Sequence, residues 1–374
     1  MSLADRRGDG ALTAVLPGWV AARVLVVGAL ALSRSLVDKL HPGVATAAAR
    51  AHEGLLAFDG SWYARIAQHG YAPLPDESIR FFPLVPLLSR GLAEITPFDE
   101  RASLVIVANA SALALGLLLY RLICVETGDA TLARRSVWVL ALAPPAYVYV
   151  MGYSEATASA LAVVTFVGLR SRRWGLAAVG GALAGLARPL GVLLVVPAAI
   201  EVARGWGAAQ PRERWRRVVA LVAPVAGAGA YLAWVQVRFG DWLLPFRIQE
   251  RANLRGQFAN PFVTLERAAR GLLHGHAVGT GSHVPWAILL AVGVVLAFRR
   301  WPPAYGAFAA AVLAAGLSSR NLDSLERYAL SAFPFVIVAA GLLSREWLER
   351  LVLVLSGSAM VGYAVLVFLG AAVP

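Results

Sequence analysis

The sequence predicts an all-α polytopic membrane protein, and three observations carry that prediction. Apolar runs recur from near residue 17 to residue 371 of the 374. Only 15% of residues are charged, against roughly 25% in soluble domains. The cations, almost all Arg, fall in clusters between the apolar runs. A net charge of +12 can mean nucleic-acid binding. Here the arginine clusters follow membrane topology instead, so no nucleic-acid partner is expected.

Hydropathy and Pro/Gly breaks place about eleven spans. The first is 17–37, preceded by Arg6-Arg7 and read as an uncleaved helix rather than a signal peptide. A long polar and aromatic loop, 38–100, follows. Spans at 101–121, 136–151 and 154–169 come next. Residues 175–203 form two short segments broken at Arg188-Pro189, because proline removes a donor and restricts the residue before it. A span at 218–237 leads to a second long loop, 238–284. The last four spans are 285–298, 303–318, 329–343 and 351–371. The whole chain, 1–374, reads as a single integral membrane domain.

Orientation follows from the short loops. Arg134-Arg135, Arg170 with Arg172-Arg173, Arg212 to Arg217, Arg299-Arg300 and Arg345 with Arg350 share one side, which the positive-inside rule makes cytoplasmic. Both long loops then lie outside. All six histidines fall in them (His41, His52, His69, His274, His276, His283), with half of the acids. Chemistry is therefore expected on the outer face. Cys124 is the only cysteine, which excludes an internal disulfide and a Cys-based metal site.

The densest stretch of the first loop is Phe58-Asp59-Gly60-Ser61-Trp62-Tyr63, continuing to Gln68-His69-Gly70-Tyr71. Phe58, Trp62 and Ile66 recur every four residues, which predicts an amphipathic helix in the membrane interface, ended by Gly70. Asp59 opens it. Its carboxylate has two readings: an N-cap accepting from the first free amides, or a catalytic base at the outer water boundary. Glu77 is either a second functional carboxylate or a solvated loop charge. Phe81-Phe82-Pro83 and Pro86 read as a rigid re-entry into the interface.

These residues resemble the PIG-V family of GPI mannosyltransferases and its bacterial relatives. That family's pattern is Trp-Asp, then Gln-His-Gly-Tyr, then Ala-Phe-Phe-Pro-Leu-x-Pro. Here Phe58 stands for the Trp and Arg80 for the Ala. Pro144-Pro145 with Gly152-Tyr153-Ser154-Glu155, and Gly185 to Gly191 around Arg188, are similar to later family stretches. So are Arg238-Phe239-Gly240-Asp241 with Gln249, and Glu326-Arg327-Tyr328 before Phe333-Pro334. The resemblance spans about residues 50–340. It implies a GT-C-type fold and transfer of a sugar, mannose by resemblance, from a polyprenyl-phosphate donor to a hydroxyl of a lipid or glycan acceptor. It implies an outer-face site in the plasma membrane of a bacterium, with membrane lipids as surroundings. By the resemblance Asp59 is the general base, with Glu77 a second catalytic carboxylate. Glu155, Arg188, Arg327, Tyr328, Gln249 and His69 are then substrate-binding residues.

The residue types fit that chemistry. A hydroxyl attacking an anomeric carbon must lose its proton to a nearby base. A departing phosphodiester is best held by Arg, through bidentate bonds. Arg188, Arg320 and Arg327 lie at outer helix ends and either contact that phosphate or snorkel as interface anchors. Glu155 either orients the acceptor or pairs with an Arg, or is simply an acid favoured at a helix N-terminus. His274, His276 and His283 match no strong ligand spacing, so no metal and no other cofactor is expected. No P-loop or dinucleotide fingerprint is present. The rival expectations are a transporter or lipid flippase, which should show internal repeats and midplane polar groups, and a catalytically silent subunit of an envelope complex.

Overall fold

The computed structural model describes residues 3–40, 45–251, 254–274, 283–322 and 324–373. Among them regular structure is helical, apart from one isolated bridge between Phe258 and Ser319. The first half of the chain forms α1 (Leu3–Leu40), α2 (Ala45–Glu53), α3 (Asp59–His69), α4 (Leu84–Ile95), α5 (Glu100–Thr127), α6 (Ala130–Leu142), α7 (Glu155–Arg170) and α8 (Trp174–Ala187). The second half forms α9 (Val195–Ala203), α10 (Pro211–Phe239), α11 (Leu244–Gln249), α12 (Pro261–Leu273), α13 (Val284–Arg300), α14 (Pro303–Leu317), α15 (Leu325–Leu330), α16 (Pro334–Leu342) and α17 (Glu346–Phe368). Short 3-10 segments cover Gly54–Leu56, Asp76–Arg80, Pro144–Tyr149 and Pro189–Leu194.

Four described helices are long and apolar enough to cross a membrane: Gly10–Lys39, Glu100–Thr127, Pro211–Phe239 and Glu346–Phe368. They make this a helical integral membrane protein. The other expected spans coincide with apolar helices that fall short of the roughly 20 residues a straight crossing needs. Two of those expected spans are interrupted. The 136–151 segment leaves α-helix at Leu142, because Pro144 and Pro145 lack the donors an α-helix would use. The 329–343 segment is divided into α15 and α16, with Pro334 opening the second.

The chain clusters into two compact units. Unit 1 comprises residues 1–68, 85–160 and 339–374. In it α1 packs against α5, α6 and α17, and α5 and α6 form a hairpin. Local sequence sets that hairpin. Asp99 caps α5 through the Ala102 amide at 2.8 Å, and Asp129 caps α6 through the Leu132 amide at 2.9 Å. Between them Gly128 takes the left-handed conformation that stops α5. Arg23, inside the first span, is fully engaged. It donates to Asn109 Oδ1 at 2.8 Å and to the Trp19 and Tyr149 carbonyls, and it stacks on Trp19. A cation so placed would be costly in lipid, and these bonds make it structural.

Unit 2 comprises residues 69–84 and 161–338. Its centre is the close packing of α8 on α10. Gly181 and Gly185 on α8 meet Pro224, and Gly227 on α10 meets the Ala182 carbonyl. Small residues four apart let the two backbones touch, which drives helix association where lipid removes the hydrophobic effect. An aromatic cluster of Phe166, Tyr305, Phe308 and Phe333 fills the space near α14.

Candidate functional site

The predicted residues divide between the units. Asp59 and Glu155 belong to unit 1; His69, Glu77, Arg188, Gln249, Arg327 and Tyr328 belong to unit 2.

In unit 1 the chain reaches α3 through Phe58, whose φ of 57° is left-handed. Such a conformation is rare for a bulky side chain and turns the backbone sharply. Asp59 is then the first helical residue, half-buried, rather than the residue flanking the helix. Three bonds tie this turn to the segment that opens α7. The Gly152 amide donates to the Leu55 carbonyl at 2.9 Å, and Tyr153 Oη donates to the Ala57 carbonyl at 3.0 Å. The hydroxyls of Tyr63 and Ser154 lie 2.7 Å apart. Gly60 packs against the same segment, where a Cβ would be in ordinary contact with the Gly152 carbonyl oxygen at 3.4 Å. Two helix N-termini, each opening on an acid, are thereby held side by side: Asp59 on α3 and the fully buried Glu155 on α7. Both carboxylates sit where the macrodipole favours negative charge.

The surroundings of α3 differ from expectation. It buries Gly60, Tyr63, Ala64, Ile66 and Ala67. Phe58 and Trp62 are half-buried, but Ile66 is lost to the protein interior rather than offered to lipid. Packing of the i, i+3, i+4, i+7 stripe decides the helix's placement, and the bulky residues that mark the other stripe do not. Gly70, at φ 73°, ends α3 as its type predicts.

In unit 2, His69 is exposed at the end of α3. Tyr71 and Phe82 pack on Tyr231 of α10, with ring centroids 5.8 and 4.7 Å away. Tyr71 Oη also donates to the Phe81 carbonyl, and Tyr231 Oη to the Ile79 carbonyl, both at 2.7 Å. The aromatic motif of the first loop thus fixes the 3-10 segment Asp76–Arg80 in place. That segment meets α11. Arg80 Nη1 reaches Gln249 Oε1 at 3.4 Å, and Glu77 forms an ion pair with Arg251 on the partly exposed rim. The pairing ties the Glu77 side chain to Arg251 of the second long loop.

Three guanidiniums converge on one phenol ring. The Cζ atoms of Arg188, Arg255 and Arg327 lie 5.7, 4.3 and 5.7 Å from the Tyr328 ring centroid. Arg188 and Arg327 are each 8% exposed. Arg188 occupies the extended break between α8 and the Pro189–Leu194 segment. Arg327 and Tyr328 ride on α15, whose start at Ser324 is left-handed, with φ 68°. Arg255 is positioned by backbone pairing. Its carbonyl accepts from the Asn321 amide at 3.1 Å, and its Nη2 donates to the Gly316 carbonyl at 2.9 Å. Glu326, the neighbouring carboxylate, is held by His283 at 2.7 Å. Three cations thus border the Tyr328 ring. Arg320 is exposed.

Beside Arg188 in the chain, Pro189 lines an almost wholly apolar groove of about 590 Å³, together with Phe82, Val192, Gly229, Leu232 and Phe246. Its volume lies in the range of sites that take drug-sized ligands. Of the metal-spacing candidates, His276 lies outside the described residues, as does the first-loop His41, which is not one of them. Sequence reasoning missed Arg251 and Arg255. Both lie in the second long loop, where no periodicity marks one arginine over another.

No protein-family model matches the chain, and no curated protein matches it.

Proposed function

We propose that this membrane protein is a glycosyltransferase that takes a sugar, by sequence resemblance mannose, from a polyprenyl-phosphate donor. The single observation behind the reading is the convergence of Arg188, Arg255 and Arg327 on Tyr328, with an apolar groove beginning at the residue next to Arg188. A cation cluster alone would suit any anion. Joined to an apolar groove in a membrane protein, it suits a phosphate carried on a lipid.

In this reading the acceptor hydroxyl oxygen attacks the anomeric carbon and forms the new C–O bond. The bond from that carbon to the phosphate oxygen breaks, and its electron pair leaves on the polyprenyl phosphate. The hydroxyl proton passes to a carboxylate base, the role that the sequence resemblance gives to Asp59. Direct displacement inverts the anomeric configuration. The arginines neutralise the charge that grows on the leaving phosphate. Glu77, held by Arg251, serves the shape of the loop and leaves the base role to Asp59. Glu155 orients the acceptor side. The resemblance puts the reaction at the outer face of a bacterial plasma membrane, in a GT-C-type fold, with a lipid or glycan acceptor.

The same cation cluster and groove would also serve a lipid-phosphate flippase, which would move the donor without cleaving it. A transfer assay separates the two. Purified protein, polyprenyl-phosphate-mannose labelled in the sugar and an extract of envelope lipids should yield label on a new lipid or glycan. Intact donor after long incubation with every acceptor fraction would refute the transferase reading.

A further inference from the structure

A polar cavity in unit 2 lies at the Arg-rich helix ends predicted to face the cytoplasm. It measures about 190 Å³ and is lined by Leu169, Arg170, Arg172, Trp174, Glu201 and Arg204. Its lining carries three guanidiniums and one carboxylate, and Glu213, paired with Arg217, also faces Arg172 and Trp174. Glu201 is 7% exposed and accepts from Arg170 Nη1 at 3.0 Å and from Arg204 Nη1 at 3.3 Å. It thereby holds two of the cations at the cavity wall.

The third cation is placed at odds with its own backbone. α7 ends with the Arg173 amide donating to the Gly168 carbonyl at 2.8 Å and the Arg172 amide to the Leu169 carbonyl at 3.2 Å. This bond pair defines a helix stop whose left-handed residue is usually glycine. Arg172 occupies that position, with φ 54°. A side chain is disfavoured there, so helix termination alone does not account for an arginine. The wall beneath is rigid. Trp174 is buried and stacked under Arg217 at 5.0 Å, and Arg217 donates to the Val202 and Arg204 carbonyls at 3.0 and 2.8 Å.

We propose that this cavity binds a phosphate group at the cytoplasmic rim. The guanidinium surplus fits phosphate oxygens. The volume falls below the range of drug-sized sites, which favours a small group over a nucleotide. Two sources carry that chemistry: the headgroup of an anionic phospholipid, which basic rims attract, and free inorganic phosphate. The site is independent of the transfer reaction.

The test uses the full chain in detergent micelles, with thermal unfolding as the readout. The probes are inorganic phosphate and, separately, phosphatidylglycerol against phosphatidylcholine. The wild type should show a saturable rise of a few degrees with phosphate, phosphatidylglycerol or both. A response to phosphatidylglycerol alone identifies a lipid headgroup, and a response to phosphate identifies the soluble ion as sufficient. Arg172→Gly combined with Arg204→Gln should weaken the response at least tenfold in midpoint concentration. Arg172→Gly alone, whose backbone prefers the observed conformation, should unfold at or above the wild-type temperature without ligand. No saturable rise with either probe, or a double variant within twofold of the wild type, overturns the proposal.

Discussion

Replacing Gly185 by Ala should separate α8 from α10. A Cβ at position 185 would lie 2.1 Å from the Pro224 carbonyl oxygen, where ordinary contact begins at 3.4 Å. The shortfall is 1.3 Å. Both sides of the clash are backbone, so no side-chain rotation relieves it and one helix must move. A gap of 0.5–1 Å already forfeits roughly a quarter to a half of the dispersion energy of the atoms it parts. Overpacking of this kind costs about 1–3 kcal/mol, and a backbone clash sits at the upper end. The assay is equilibrium unfolding of the purified protein in mixed micelles. The control is Gly229→Ala, on the same α10, where a Cβ meets nothing within 4 Å. That variant should be neutral or more stable by up to about 1 kcal/mol, because Ala is the better helix former. A Gly185→Ala protein within about 1 kcal/mol of wild type would refute the close-packing account of unit 2.

Four further outcomes are expected. Asp59→Asn should lower transfer by about 10²–10⁴-fold, the usual worth of a general base, with an unchanged unfolding temperature. Glu77→Gln should lower kcat by less than about tenfold, since that carboxylate is paired with Arg251; a loss equal to that of Asp59→Asn, measured in the same assay, would restore Glu77 as a base. Gly229→Trp, by filling the groove, should raise the KM for a long-chain donor and leave a short-chain analogue nearly unaffected. Glu349 is 5% exposed and receives Arg134 at 3.1 Å and Arg135 at 2.8 Å, so Glu349→Gln should destabilise unit 1 by about 2 kcal/mol in the same unfolding assay.

Much of the fold was legible where one residue decides the local backbone. Pro189 broke the 175–203 segment, Gly70 closed α3, and the arginine clusters marked helix ends. The runs at 136–151 and 329–343 were legible as apolar but not as interrupted, since composition was weighed above Pro144 and Pro334. Ile66 was assigned to lipid because periodicity names a face without naming its neighbour. At the site, Arg188 and Arg327 were visible as ionisable groups at helix ends in an apolar chain. Arg255 was not. Its place depends on pairing with residues 316–321, some sixty positions along the chain, and no local pattern reports such a contact. The engagement of Glu77 by Arg251 was hidden for the same reason.

The claim beneath the functional reading is that three guanidiniums around Tyr328 hold a lipid-borne phosphate, and a binding titration reaches it most directly. Polyprenyl phosphate should bind the wild-type protein with an affinity that falls as salt rises. Arg255→Gln should weaken it about ten- to hundredfold, as loss of a charge-assisted bond requires, and Arg188→Gln or Arg327→Gln by at least as much. Equal affinity in wild type and all three variants, or binding just as tight to the uncharged polyprenol, would contradict the account.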